Sequence, residues 1–302
     1  IIYYRRDIIM RFIIDFIKGI FVGVANIIPG VSGGTMAVSM GIYDKMLYAI
    51  NNLFKEFKKC IVLIFPILLG MIVGIGGFTF IIPVLLSEYP LPTCLCFIGL
   101  ILGGVPMIIG SVKKGLEKES KTKIGASHII AFIILFAVAI LLAMGNSSES
   151  TNTYIDANII NIIILFVVGV VASATMIIPG VSGSMVLMIL GYYAGITGTL
   201  KDFITALTTF NTEVLIHGFA ILFPFGIGVL LGIFLIAKLI EFLFNKYCSI
   251  TYCAILGLIA SSPVAILIKM GHKNINVFTI VLAIVLLIVG TWFTYWMGSK
   301  EE

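Results

Sequence analysis

The segment Asn26–Tyr43 reads NIIPGVSGGTMAVSMGIY, and the segment Met176–Tyr193 reads MIIPGVSGSMVLMILGYY. The second copy follows the first at an offset of 150 residues. Each copy sits in the middle of a long apolar run, Phe12 to Ile50 and Asn158 to Leu200, and interrupts it with Pro and Gly. Farther along, Phe65, Pro66, Gly70 and Gly74 match Phe223, Pro224, Gly228 and Gly232 at an offset of 158. GLILGGVP from Gly99 and GLIASSP from Gly257 keep that offset. Three ordered matches with one eight-residue insertion predict an internal repeat, residues 1–147 and residues 148–302.

Composition sets the solvent. Of the 302 residues 60% are hydrophobic and only 11% charged, against about 25% in an average soluble domain. Mean hydropathy is +1.19. Such a chain cannot hide its apolar surface in water, so an all-α polytopic membrane protein is predicted. Single spans are expected in Ile61–Leu86, Cys94–Val112, Ile124–Met144, Val214–Phe244, Ile250–Ile268 and Val277–Met297, since a crossing needs about 20 apolar residues. The net charge of +5 does not suggest nucleic acid, because the basic residues lie in short clusters between apolar runs. Five scattered cysteines complete no metal site and read as free thiols. No cofactor is expected. The start IIYYRRDIIMRF lacks a small-residue cleavage site, so no cleavable signal peptide is expected.

The loops predict the topology. Arg5, Arg6 and Arg11 precede the first run, Lys55, Lys58 and Lys59 follow it, and five lysines lie between Lys113 and Lys123. SEYPLPT and GNSSESTNTYIDAN carry none. Basic loops stay on the cytoplasmic side. This places all but Lys201, Lys269 and Lys273 of the 19 Lys and Arg inside, with both termini cytoplasmic in a plasma or inner membrane. Each half then crosses an odd number of times, so the halves are inverted. Inverted repeats with broken helices meeting near midplane are a recurrent transporter architecture. The arms of the first broken run are about 15 to 17 residues, or about 22 to 26 Å, short of a hydrocarbon core of about 30 Å. Two broken re-entrant hairpins are therefore predicted, although the arm Asn158–Ile178 is long enough to span.

The break has a chemistry. Pro29 and Pro179 remove an N–H, and Gly30, Gly33, Gly180 and Gly183 admit conformations closed to other residues. Ser32 and Ser182 are placed to cap the outgoing helix, with Thr35 and Ser184 beside them. A helix start has amides without internal partners, and with hydroxyls around it suits an anion. The plainer reading is a tight bend that only lets helices pack; two symmetric copies favour the anion site. Gly19 and Gly23, Gly70 and Gly74, and Gly99 and Gly103 are spaced by four and read as close helix packing. Arg11, Asp15 and Lys18 share one helical stripe and are expected to pair or snorkel at the cytoplasmic interface, with an ion relay or a headgroup contact as the other role for Asp15 and Lys18. His128, His217 and His272 are expected to be solvated near segment ends.

The two motifs, in order and with the GLILGG segment, resemble the bacterial and archaeal membrane family first catalogued as a domain of unknown function and now associated with polyprenyl-phosphate transport. The resemblance covers nearly the whole chain. It implies return of undecaprenyl phosphate from the outer to the cytoplasmic leaflet, so that the lipid carrier is reused in cell-wall synthesis. It implies a headgroup site at Asn26, Pro29, Gly30, Ser32, Gly33, Gly34, Thr35, Pro179, Gly180, Ser182, Gly183 and Ser184. Many relatives carry Asp at the position of Asn26, where this chain keeps hydrogen bonding without a protonatable group. The partners implied are the polyprenyl phosphate lipid, membrane lipids and a coupling proton or sodium ion, with the oligomeric state open. Opening of the site to either leaflet is expected from rocking of the two halves.

Two other readings stand beside it. The repeat architecture fits a permease for a small anion or other solute equally well. GVSG also matches the GxSG pattern of intramembrane serine proteases, but those need a His on a neighbouring span, and none lies mid-span here. The protein is therefore expected not to be an enzyme.

Overall fold

The computed structural model describes residues 2–28, 31–121, 123–145, 154–270 and 276–299, with side chains from residue 9. Among these the chain is helical throughout, without strands: α1 Ile2–Ala25, α2 Gly33–Ser39, α3 Tyr43–Asn52, α4 Phe57–Phe78, α5 Ile81–Glu88, α6 Pro90–Lys118, α7 Ala126–Met144, α8 Ile159–Ile177, α9 Gly183–Ile189, α10 Tyr193–Thr209, α11 Thr212–Lys246, α12 Cys248–Lys269 and α13 Val277–Gly298. Seven of them, α4, α6, α7, α8, α11, α12 and α13, are long and apolar enough to cross a membrane. Their outer faces carry Ile130, Ile133, Phe219, Leu230, Ile284 and Trp292, all exposed. Apolar surface on this scale belongs against lipid.

The same local geometry recurs at the sequence offsets. α2 and α9 are both seven residues long and start 150 residues apart. Each is followed by a glycine with positive φ, Gly41 at +75° and Gly191 at +80°. That turn redirects the chain, so the outgoing arm of each break is two helices, and α9 meets α10 at 111°. A single outgoing helix in each hairpin, as the arm lengths suggest, is therefore replaced by a second break. The incoming arm of the first copy is also longer than its apolar run, because α1 starts at Ile2, ten residues before Phe12. The eight-residue insertion is largely the extra length of α10, 17 residues against 10 in α3. The span Ile61–Leu86 is split into α4 and α5, whereas its counterpart α11 runs unbroken for 35 residues.

Glycines set the helix pairs. A Cβ on Gly70 would overlap the Phe16 carbonyl, and one on Gly228 would overlap the Phe166 carbonyl. α1 thus lies tight on α4, and α8 on α11. The other pairs cross between halves: α6 packs on α13, α7 on α12, and α6 also on α12. The two sequence halves are interleaved. A core of Val22, Met36, Ile42, Ile101 and Ile259 joins α1, α2, α6 and α12. The two hairpins sit unequally in it. Six of the seven residues of α2 are buried, but only Gly183, Val186 and Leu187 of α9 are.

Candidate functional site

α1 ends at Ala25, and the chain turns through bonds such as the Ile28 amide to the Ala25 carbonyl at 3.3 Å. Ser32 then precedes α2 in an extended conformation, φ −100° and ψ 132°. Ser182 precedes α9 at φ −96° and ψ 126°. Both serines hold the N-cap position, yet neither side chain makes the capping bond expected of it. The first helical bonds run from the Met36 amide to the Ser32 carbonyl and from the Val186 amide to the Ser182 carbonyl, each 3.1 Å. The amides before Met36 and Val186 therefore have no acceptor within their own helices.

The two breaks converge. A cavity of about 450 Å³ is lined by Asn26, Ser32, Gly33 and Gly34 from the first and by Ser182, Gly183 and Ser184 from the second. This size lies in the roughly 300–1,000 Å³ range of ligand pockets. The Ser182 and Ser184 hydroxyls are 2.8 Å apart. The Asn26 amide lies over Gly33, where a Cβ would come within 2.6 Å of it. Its counterpart Met176 lies over Gly183, where a Cβ would come within 3.0 Å of it, so a thioether in the second copy stands where the first has an amide. The remaining wall is apolar, with Met46, Leu47, Ile50, Met71 and Ile233. The lining holds no Lys, Arg, His, Asp or Glu among the described residues.

Behind the cavity the segments are tied together. The Gly180 N–H donates to the Thr35 hydroxyl at 2.6 Å, and the Tyr43 hydroxyl donates to the Ile177 carbonyl at 3.1 Å. Gly180 holds φ +83° there. Thr35, Pro179 and Gly180 thus belong to the contact between the segments and not to the cavity wall. Pro29 and Gly30 lie outside the described residues, as does His272.

Asp15 and Lys18 are not among the residues lining the cavity; Asp15 pairs, as one expectation for the stripe had it, but with Lys45. Lys18 is fully buried and Asp15 only 6% exposed. Lys45 of α3 pairs with Asp15 at 3.0 Å. The Lys18 ammonium lies by Gly41, at the end of α2 away from the cavity.

His128 also departs from expectation. It is buried, and its Nε2 lies 2.9 Å from the Ser249 hydroxyl. Its Nδ1 accepts the Gly125 amide at 3.2 Å, so Nε2 carries the proton. Ser249 in turn donates its hydroxyl and its amide to the Glu119 carboxylate at 2.9 and 2.8 Å. Burial works against the charge of Glu119, but the bonds from Lys121 and Ser249 hold its carboxyl down at about 2. His217 is half-buried and bonds the Ile155 carbonyl. Sequence reasoning missed the wall from α3. Tyr43, Met46, Leu47 and Ile50 repeat at helical spacing, and that stripe is the signal that marks it.

A chain with these spans and this paired break has known relatives. It is 29% identical over 255 residues to a protein of Staphylococcus aureus (strain NCTC 8325 / PS 47) named polyprenyl-phosphate transporter, covering 84% of this chain and 85% of that one. It is 28% identical over 263 residues to a protein of the same name from Vibrio cholerae serotype O1 (strain ATCC 39315 / El Tor Inaba N16961), covering 82% and 75%. No solved structure matches the chain. Residues 22–280 match the family described as undecaprenyl phosphate translocase-like, and the chain belongs to that family.

Proposed function

We propose that this chain transports polyprenyl phosphate, carrying undecaprenyl phosphate from the outer to the cytoplasmic leaflet so that the carrier lipid is reused. The reading is carried by one observation: both broken segments line the same cavity, which brings Asn26, Ser32, Ser182 and Ser184 together in an otherwise largely apolar wall. A phosphate monoester on an isoprenoid tail cannot cross lipid unaided, because a bare charge in hydrocarbon costs many kcal/mol. In this reading the headgroup sits between Ser32 and Ser182, with Asn26, Gly33, Gly34, Gly183 and Ser184 around it. The stem of the tail lies along Met46, Ile50 and Ile233, and the rest stays in the bilayer. The two halves insert as inverted repeats, 1–147 and 148–302, with re-entrant hairpins at the breaks and both termini cytoplasmic.

The motion differs from a rocking of sequence halves. α6 is packed on α13 and α7 on α12, so those four helices form one body. The movable parts are the α1–α4 and α8–α11 pairs, while α2 stays packed on α6 and Gly180 on Leu258 of α12. The test is flux of undecaprenyl phosphate in proteoliposomes. Substituting Ser32 and Ser182 together by Val removes two bonds to a charged group, worth about 1.5–3 kcal/mol each, and flux is expected to fall at least about tenfold. Flux at the wild-type rate ends the reading. Competition by inorganic phosphate as strong as by the lipid favours a permease for a small anion.

A further inference from the structure

The cavity that holds the headgroup has no cation in its described wall. This inference rests on the transport reading above and concerns which ionic form is carried. A phosphate monoester has a second pKa of about 6, so in neutral water it is mostly a dianion. Taking the second charge out of water adds a further desolvation cost of several kcal/mol, and the wall offers only neutral donors to offset it, the Ser32, Ser182 and Ser184 hydroxyls, the Asn26 amide and backbone N–H groups. Lys18, a buried cation, lies by Gly41 just past the end of α2 and is not among the residues lining the cavity. The other charges of the elements around the cavity point elsewhere. Lys45 pairs with Asp15, and Asp44 accepts from the Tyr252 hydroxyl. Lys58 and Lys59 stand at the start of α4, and Lys238 and Glu241 lie beyond Ile233 on α11; none of them lines the cavity. α8 and α9 carry no charged residue. Tyr43, the one titratable side chain in the wall, has its hydroxyl bonded to the Ile177 carbonyl.

We infer that the species carried is the singly charged, protonated phosphate monoester, so that each headgroup crosses with one proton of its own. On entry R–O–PO₃²⁻ takes one proton from water to give R–O–PO₃H⁻. On the other face it returns that proton, no bond to carbon or phosphorus breaks, and one negative charge has moved. The protonated oxygen is also a donor, which the serine oxygens and the Asn26 carbonyl can accept. Coupling to protons then needs no relay on the protein.

The test uses the whole chain in proteoliposomes, with the same pH on both sides, and compares polyprenyl phosphate with its isosteric phosphonate, whose second pKa is higher. Flux of the phosphate is expected to level off at low pH and to fall about tenfold per pH unit above its second pKa of about 6. The midpoint is expected to move upward for the phosphonate, and a dye in the lumen is expected to report acidification as lipid arrives. A flux independent of pH, or one midpoint shared by both lipids, overturns the inference and leaves transport standing. If neither lipid moves at any pH, the transport reading itself fails.

Discussion

Thr35 and Gly180 share the bond that ties the two breaks together. Thr35→Val leaves the Gly180 amide without its acceptor, and stability is expected to drop by about 1–3 kcal/mol. Thr35→Ser keeps the oxygen and is expected to retain most of it; thermal unfolding in detergent measures both. Glu119 makes a pH prediction. Its carboxyl is held at about 2 in the fold, below the ordinary 4.5, so its stabilisation is full above about pH 4.5 and is lost as pH falls through about 2. Glu119→Gln is expected to lower the melting temperature at neutral pH and to shrink the loss seen in that acid window. Single residues were unevenly legible. Ser32 and Ser182 stand where the PGVSG pattern puts them. The partners of Asp15 and His128 were not legible, because Lys45 and Ser249 lie 30 and 121 residues away and only the tertiary fold brings them in.

At the level of elements, the turn after each short helix is the sharpest commitment of the backbone. Gly41 and Gly191 hold positive φ, where a Cβ is strained. Gly41→Ala is expected to cost about 1 kcal/mol and to misdirect α3, which carries Tyr43, Met46, Leu47 and Ile50 into the cavity wall. Reduced flux with normal membrane insertion is the expected readout. The elements themselves were largely readable, since apolar length and loop charge mark the spans, and α6, α7, α12 and α13 fall where the apolar runs do. The second break in each outgoing arm was not read, although Gly at the same place in MGIY and LGYY is a visible sign of it. The split of α4 from α5 has a sign that was also not read: Gly76, Gly77 and Pro83 flank it, where the unbroken α11 has Phe234, Leu235 and Glu241.

The whole molecule is held together by exchange between its halves. Gly99 of α6 lies against the Leu287 carbonyl of α13, and Gly257 of α12 against the Phe132 carbonyl of α7. Neither half alone covers these faces. Expressed separately, residues 1–147 and 148–302 are each expected to be degraded, and expressed together to co-purify. Stable, separately folding halves would contradict the exchanged packing. Nothing in the repeat pattern told which half each helix would join, because Gly spaced by four specifies close approach and not the partner. The exchange also bears on how the chain is made. Gly99 leaves the ribosome 188 residues before Leu287, which at about 5–20 residues per second is roughly 10 to 40 seconds. Through that interval the face of α6 stands in the membrane without its mate, and Phe132 of α7 precedes Gly257 by 125 residues, so the nascent first half meets lipid on both faces until its complement arrives.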